Sequence, residues 1–381
     1  MILGQYITIF SVFRDKLVTT EAYVSIELFL NYSSLTSVLL SLGIHQWFSV
    51  EYFKTKNITD LGARSLITFL ILSPLLFYIT FLAGYGSYFF YAWTLFFKNF
   101  VNAYLVASKK YKLFMYNELS SAIVFWILLI FSLLETRWFF IINTMSVLLL
   151  LKIFIWPSIG SLRDHLKITE ILSVIKGGAS FMLNGLALWL IFTSDLWVLN
   201  EFEDYSSNDL AIYSSILRLS KIGAFVVFFY VGNRVNIDLM HSLKKVAYES
   251  FNQSLKENIR GILKKWFNYG CLLVVGNLML YYFLKLTGIG SFQSDLVWLT
   301  LLISAHMMFE LLMRMISPLV YFYDKKIFLN AIYLVYFLFL VGTLKVLPYN
   351  FILVKSALLF LLLIMLILGL KLYGRRSHSS L

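Results

Sequence analysis

The stretch LALWLIFTSDLWVLNEF, residues 186–202, is bulky and apolar up to Asp195. An ionised Asp near the middle of a bilayer costs about 2.5–3.5 kcal/mol even on lenient insertion scales. Asp195 must therefore be paired or used. The chemistry open to it is a structural ion pair, or the uptake and release of a proton or sodium ion in a cavity. Glu27, Lys98, Lys152, Arg218, Lys221, Glu310 and Arg314 also interrupt apolar runs, with His306 beside the last pair. Such side chains face a bundle interior or a wet cavity, because contact with lipid is too costly.

Spacing narrows their roles. Glu310 and Arg314 stand four apart, where side chains meet on one helix face. The structural reading is an intrahelical ion pair that eases insertion of both charges; Glu310 also joins Asp195 and Glu27 as an ion-coupling or gating candidate. Lys152 lies near the end of its run and can snorkel. Arg218 and Lys221 are three apart and project from one side of a helix. A short loop links their run to that of Asp195, so an Asp195–Arg218 salt bridge is one reading. The other is a cavity in which Lys98, Arg218 and Lys221 hold an anionic substrate while a carboxylate exchanges protons or sodium.

The elements that carry these residues follow from composition. The chain has 381 residues, 60% hydrophobic and only 14% charged, against roughly 25% charged in a soluble globular protein. Lipid must be its solvent. With no strand alternation, helices are the spanning option. A single cysteine, Cys271, excludes an internal disulfide and a cysteine cage for a metal. No metal or other cofactor is expected, and no GxxxxGK[ST] nucleotide loop occurs. The net charge of +12 reads as positive loops on one membrane face rather than as a nucleic-acid surface.

At about 20 residues per crossing, the apolar runs mark about twelve spans, near 1–13, 22–43, 65–83, 87–107, 115–134, 138–157, 177–200, 209–233, 264–284, 296–318, 326–345 and 350–371. Met1 to Phe13 lacks the basic start and small-residue cleavage site of a signal peptide, so it is taken as the first span. With the N-terminus cytoplasmic, about 21 Lys and Arg fall inside and about 6 outside, which places both termini in the cytoplasm. Six spans precede residues 161–176 and six follow. The expected organisation is an N-terminal six-helix lobe over 1–160, a cytoplasmic linker over 161–176 and a C-terminal lobe over 177–381. Within the last, 237–263 has apolar and basic residues at helical spacing, as in an amphipathic helix on the inner leaflet. The Lys pairs of "ASKKYK" and "FYDKKI" sit at the same ordinal place in each half, which favours an internal repeat of the transporter kind.

Three stretches give the chain a family likeness: "TTEAYVSIELFLNYSSLTSVLLSLGIHQWFS", "VNAYLVASKKYKLFMYNE" and "IKGGASFMLNGLALWLIFTSDLWVLNEFEDYSSNDLAIYSSILRLSKIGAF". With them the chain resembles the polysaccharide (O-antigen and capsule) flippases of the multidrug/oligosaccharidyl-lipid/polysaccharide exporter superfamily. The resemblance implies an all-α integral membrane protein, two six-helix lobes around a central cationic cavity. It implies ion-coupled alternating access that carries an undecaprenyl-diphosphate-linked oligosaccharide from the inner to the outer leaflet of the bacterial cytoplasmic membrane. Asp195 would take the acidic position of the seventh span, and Arg218, Lys221 and Lys98 would meet the diphosphate or acidic sugars. Membrane lipids, a polysaccharide polymerase and chain-length proteins are the implied partners. Leu196 departs from the pattern, which often has Arg after the acid. An enzyme, either an oligosaccharide polymerase or a lipid-sugar glycosyltransferase, is the alternative. Such enzymes carry a long outer loop, and the outer loops here are short. A small-solute exporter should have an acidic cavity, whereas these spans are net basic.

Overall fold

The computed structural model describes residues 18–55, 57–82, 86–130, 136–155, 167–193, 195–202, 206–230, 251–286, 296–322, 331, 334–336, 338, 342 and 351–376. Among the described residues there are helices and no strand. In lipid each backbone N–H and C=O needs a partner inside the chain, and a helix provides one within its own segment. The helices are α1 (Thr20–Ser41), α2 (Ile44–Thr55), α3 (Ile58–Leu82), α4 (Gly86–Ala107), α5 (Tyr111–Ile130), α6 (Thr144–Leu150), α7 (Ile168–Phe192), α8 (Asp195–Phe202), α9 (Ser207–Tyr230), α10 (Phe251–Leu286), α11 (Leu296–Phe322) and α12 (Phe351–Arg376). By length and composition alone, Thr20–Ser41, Trp138–Ile155 and Ile259–Leu286 can each cross a membrane. The molecule is an all-α membrane protein. The expected first span, 1–13, and most of the eleventh, 326–345, lie outside the described residues.

Three spans differ from simple rods. That of 138–157 is composite: a 3-10 segment over Thr136–Asn143 leads into α6 and then a π segment over Leu151–Ile155. That of 177–200 is interrupted after Phe192 and resumes as α8 at Asp195. The described part of the amphipathic segment, 251–263, runs straight into the span as one helix of 36 residues, α10. Its basic residues are therefore carried along the axis of the span.

The chain folds as two compact units, Ser25–Trp197 and Val198–Leu381 with Leu3–Val24. Within the first, an aromatic core fills the space among α2, α3, α4 and the composite span. Phe69 stacks on Phe96 at 3.7 Å between centroids, and Phe154 of the π segment meets Phe48, Phe100 and Tyr104. Within the second, α10 packs on α9 and α11, and α11 on α12. Leu219, Tyr281 and Leu284 form a small buried cluster there. In this division α7 belongs with the N-terminal helices, packing on α2 and α3. Residues 161–166 of the expected linker lie outside the described residues, and 168–176 form the first turns of α7.

Three glycines explain how α7 docks. Gly43 lies at φ +70, after Leu42 at φ +44, so the chain turns between α1 and α2 in a left-handed conformation that glycine adopts without strain. Gly178 of α7 lies against that turn. A Cβ placed on it would run into the Leu42 carbonyl oxygen, and one on Gly177 would run into Trp47 Nε1. At the same end of α7, Glu170 lies 3.6 Å from Arg64, which also holds Asp60 at 3.0 Å.

Gly178→Ala should lower the melting midpoint of the detergent-purified protein by the equivalent of about 1–3 kcal/mol, the usual cost of overpacking. Gly276→Ala in α10 is the control, because its Cβ would meet nothing within 4 Å. Equal midpoints for the two variants would exclude the close crossing.

Candidate functional site

The interruption after α7 is built from named contacts. Thr193 ends the helix at φ −127 and ψ −20, its N–H donating to the Trp189 carbonyl at 2.8 Å. Asn31 of α1 donates its side-chain amide to the Thr193 carbonyl. The chain restarts with Asp195 in the first turn of α8. There the unsatisfied N–H groups and the helix dipole favour a carboxylate by about 0.3–1 kcal/mol. Trp189 and Trp197 flank the break with centroids 6.4 Å apart.

Asp195 is 1% exposed, Asn31 7% and Glu27 1%. Glu27 and Asn31 are one turn apart on one face of α1. α1 and α7 run antiparallel, with the Leu42–Gly43 turn against Gly178 and Asn31 against Thr193. That register brings Glu27 to the level of Asp195. The Asn31 Oδ1 is buried and accepts no hydrogen bond among the described residues, although a buried acceptor left unpaired costs about 1–3 kcal/mol. An amide oxygen lacking a donor, beside a broken helix and two buried carboxylates, suits a carboxyl once protonated, or a small hard cation. In membrane transporters such breaks supply ion ligands. Among the described residues no three of His, Cys, Asp and Glu converge to hold a metal ion.

A second polar centre lies among α4, α5 and α6. The Lys98 Nζ is 3.3 Å from Glu118 Oε2 and donates to Ser121 Oγ at 3.0 Å. Asn102 donates to Glu118 Oε1 at 2.7 Å, Asn117 donates to Asn102 Oδ1 at 3.0 Å, and Ser146 donates to Asn117 Oδ1 at 2.9 Å. Lys98 is 1% exposed and Glu118, Asn117, Ser121 and Ser146 are all at 0%. Asn143, where the 3-10 segment meets α6, donates to Thr94 Oγ1 at 3.1 Å. Lys98, expected to meet an anionic cargo, thus has its ammonium on a carboxylate and a hydroxyl inside the helix core.

The remaining expected residues lie in the second unit, apart from Lys152, which is exposed on the π segment. Arg218 and Lys221 are half-buried on α9. Glu310 on α11 is 6% exposed and His306, one turn before it, 3%. The Arg314 side chain falls outside the described residues, as does the expected Glu310–Arg314 pair. Sequence reasoning missed two charged residues that are buried inside expected spans among the described residues, Glu118 and Lys355, both at 0% exposure. For Glu118 a signal was present. The tight turn between α4 and α5 centres on Lys109, at φ +60. In an antiparallel hairpin about that point, Lys98 lies level with 120, between Glu118 and Ser121.

No protein-family profile matches the chain, and no curated protein matches it. Among solved structures the chain is similar to a multidrug resistance MATE family transporter of the MOP superfamily in its inward-facing conformation. The TM-score is 0.56 at 14% identity, over 98% of this chain and 94% of that one. At that identity the likeness is one of fold.

Glu118→Leu should destabilise the protein by about 3–5 kcal/mol, because it strands a buried ammonium, whereas Lys98→Met with Glu118→Leu should recover most of the loss. Thermal unfolding of the two variants in detergent measures this. A double variant no more stable than the single would mean that Lys98 does not depend on Glu118.

Proposed function

We propose that the chain is a membrane transporter that works by alternating access, with the α7–α8 junction as its coupling site. The observation that carries this reading is the buried break itself: Asp195 at the start of α8, the Thr193 carbonyl tied to Asn31, and the unpaired Asn31 Oδ1. Glu27 and Asp195 bind and release a proton or sodium ion there, and the ion changes how tightly α1 grips the junction. A ligand shifts a conformational equilibrium only through such a difference in affinity between states. The fold shared with a MOP-superfamily transporter over nearly the whole chain supports the same reading.

The cargo we propose is an undecaprenyl-diphosphate-linked oligosaccharide, moved from the cytoplasmic to the outer leaflet of a bacterial inner membrane for O-antigen or capsule synthesis. Arg218 and Lys221, cationic and half-buried on α9, are its diphosphate contacts. Lys98, held by Glu118, keeps the α4–α5–α6 core in shape for transport. Glu310 is a second gating candidate. A polysaccharide polymerase and chain-length proteins act on the product of this step.

The test is complementation of a bacterium that lacks its surface-polysaccharide flippase, with this chain supplied beside its own sugar-assembly genes. Surface polymer and lipid-linked intermediate are read together. Restored polymer with cleared intermediate supports translocation. Intermediate trapped inside, with the protein present in the membrane, sinks the flippase reading in favour of the polymerase or glycosyltransferase.

Asp195→Asn should cut flipping at least tenfold while membrane levels stay unchanged; full flipping in that variant would remove Asp195 from coupling. Arg218→Ala should slow clearance of the intermediate several-fold at equal membrane abundance. A loss of abundance instead would assign Arg218 to folding.

A further inference from the structure

The outward side of α10 changes character along its length in a way that transport does not require. From Phe267 to Leu286 it exposes large apolar side chains: Phe267 at 59%, Val275 at 50%, Met279 at 69% and Leu286 at 85%. At 1.5 Å per residue that stretch covers about 30 Å, the hydrocarbon thickness of a bilayer. The opposite side, with Ile259, Ile262, Leu273, Asn277 and Tyr281, is buried, and Trp266 donates to the Met308 carbonyl of α11 at 2.7 Å. The helix is thus clamped on one face and lipid-facing on the other.

Just beyond Phe267 the exposed face turns basic. Lys264, Lys265 and Arg260 are all exposed. Arg260, Lys264, Phe267, Cys271 and Val275 follow one another at steps of three or four residues, so the basic residues line up with the apolar stripe rather than beside it. None of the three cations makes an ion pair or hydrogen bond among the described residues. Lys264 and Lys265 fall within about 5 Å of the end of the apolar stripe, and Arg260 within about 11 Å. That is the depth of phospholipid phosphates, given a headgroup layer of roughly 5–7 Å per leaflet and the reach of long side chains.

We propose that Arg260, Lys264 and Lys265 form a binding surface for acidic phospholipid headgroups, which gathers anionic lipids against α10 in one leaflet. The occupant follows from position and charge: acyl chains cover the apolar stripe, and only the headgroups of those same lipids stand beside the cations. The planar Arg260 guanidinium suits a phosphodiester through paired hydrogen bonds, and the two ammonium groups add point charges. The site is independent of the cargo and of the α7–α8 junction.

Cys271 provides the probe, since it is the single cysteine of the chain and is exposed on the same stripe. The full chain, labelled there with a small fluorophore, is reconstituted into phosphatidylcholine vesicles. Part of the lipid is replaced by acyl-brominated phosphatidylglycerol or by acyl-brominated phosphatidylcholine at equal mole fraction, and quenching is compared. The acidic lipid should be favoured at least about threefold at low salt, with the preference falling as ionic strength rises. The triple variant Arg260→Gln/Lys264→Gln/Lys265→Gln should bring the ratio to about one by the same loss of charge. The charge-matched variant Lys109→Gln/Lys112→Gln/Lys152→Gln, altered at other exposed lysines, should keep it. Equal quenching by both lipids in the unaltered protein, a preference that ignores salt, or one that survives the triple variant would each overturn the proposal. The salt titration of the unaltered protein decides the matter even if the triple variant does not fold.

Discussion

The hydrogen bond from the Asn31 amide to the Thr193 carbonyl fixes the part of the molecule on which the functional reading depends. Interrupting a helix at membrane depth frees backbone groups that lipid cannot satisfy, so the break can exist only where another element supplies a partner. α1 does so through Asn31, while the glycine turn at Leu42–Gly43 receives Gly178 of α7. The two contacts are the ends of one antiparallel docking. Together they place Glu27 and Asp195 at a similar level.

The Lys98–Glu118 centre obeys the same constraint by another route. Its charge is answered by a carboxylate on the next helix, and its spare hydrogen-bonding capacity by Ser121, Asn102, Asn117 and Ser146. A buried pair of this kind is weak as a source of net stability. Its effect is on register: α4, α5 and α6 can shift against one another only by leaving a polar atom unpaired in an apolar interior. The aromatic core beside it, from Phe69 on Phe96 to Phe154 on Phe100, contributes the bulk of the burial without that directional demand.

The two centres differ in what surrounds their polar atoms. Around Lys98 an ammonium and a carboxylate answer each other at 3.3 Å, although Asn143 Oδ1 nearby accepts no hydrogen bond among the described residues; at the α7–α8 junction the Asn31 Oδ1 is likewise left over, beside an interrupted helix. An ion pair between helices holds a shape, and a spare amide oxygen at a helix break can accept from a protonated carboxyl or bind a small cation. That contrast supports the proposal of Lys98 as a positioning residue and of the junction as the coupling site.

The sequence by itself determined the solvent and the class of fold: 60% hydrophobic residues with 14% charged leave lipid-embedded helices as the physical solution. It also located Asp195, Glu27, Lys98 and Glu310 as charges that needed an explanation, because insertion cost is a property of residue type and neighbours along the chain. What answers each charge was decided by tertiary structure. Whether a helix continues through Thr193 depends on Asn31, distant in sequence, since an amide on another helix replaces the missing backbone partner. Glu118 stood in plain view, yet pairing it with Lys98 requires knowing where the intervening turn is centred. The continuity of α10 likewise hinges on packing: the periodicity of 251–263 fits a helix lying on the membrane as well as one leaving it. Ile259 and Ile262 are buried, and the helix that carries them packs against α11, which aligns it with the span.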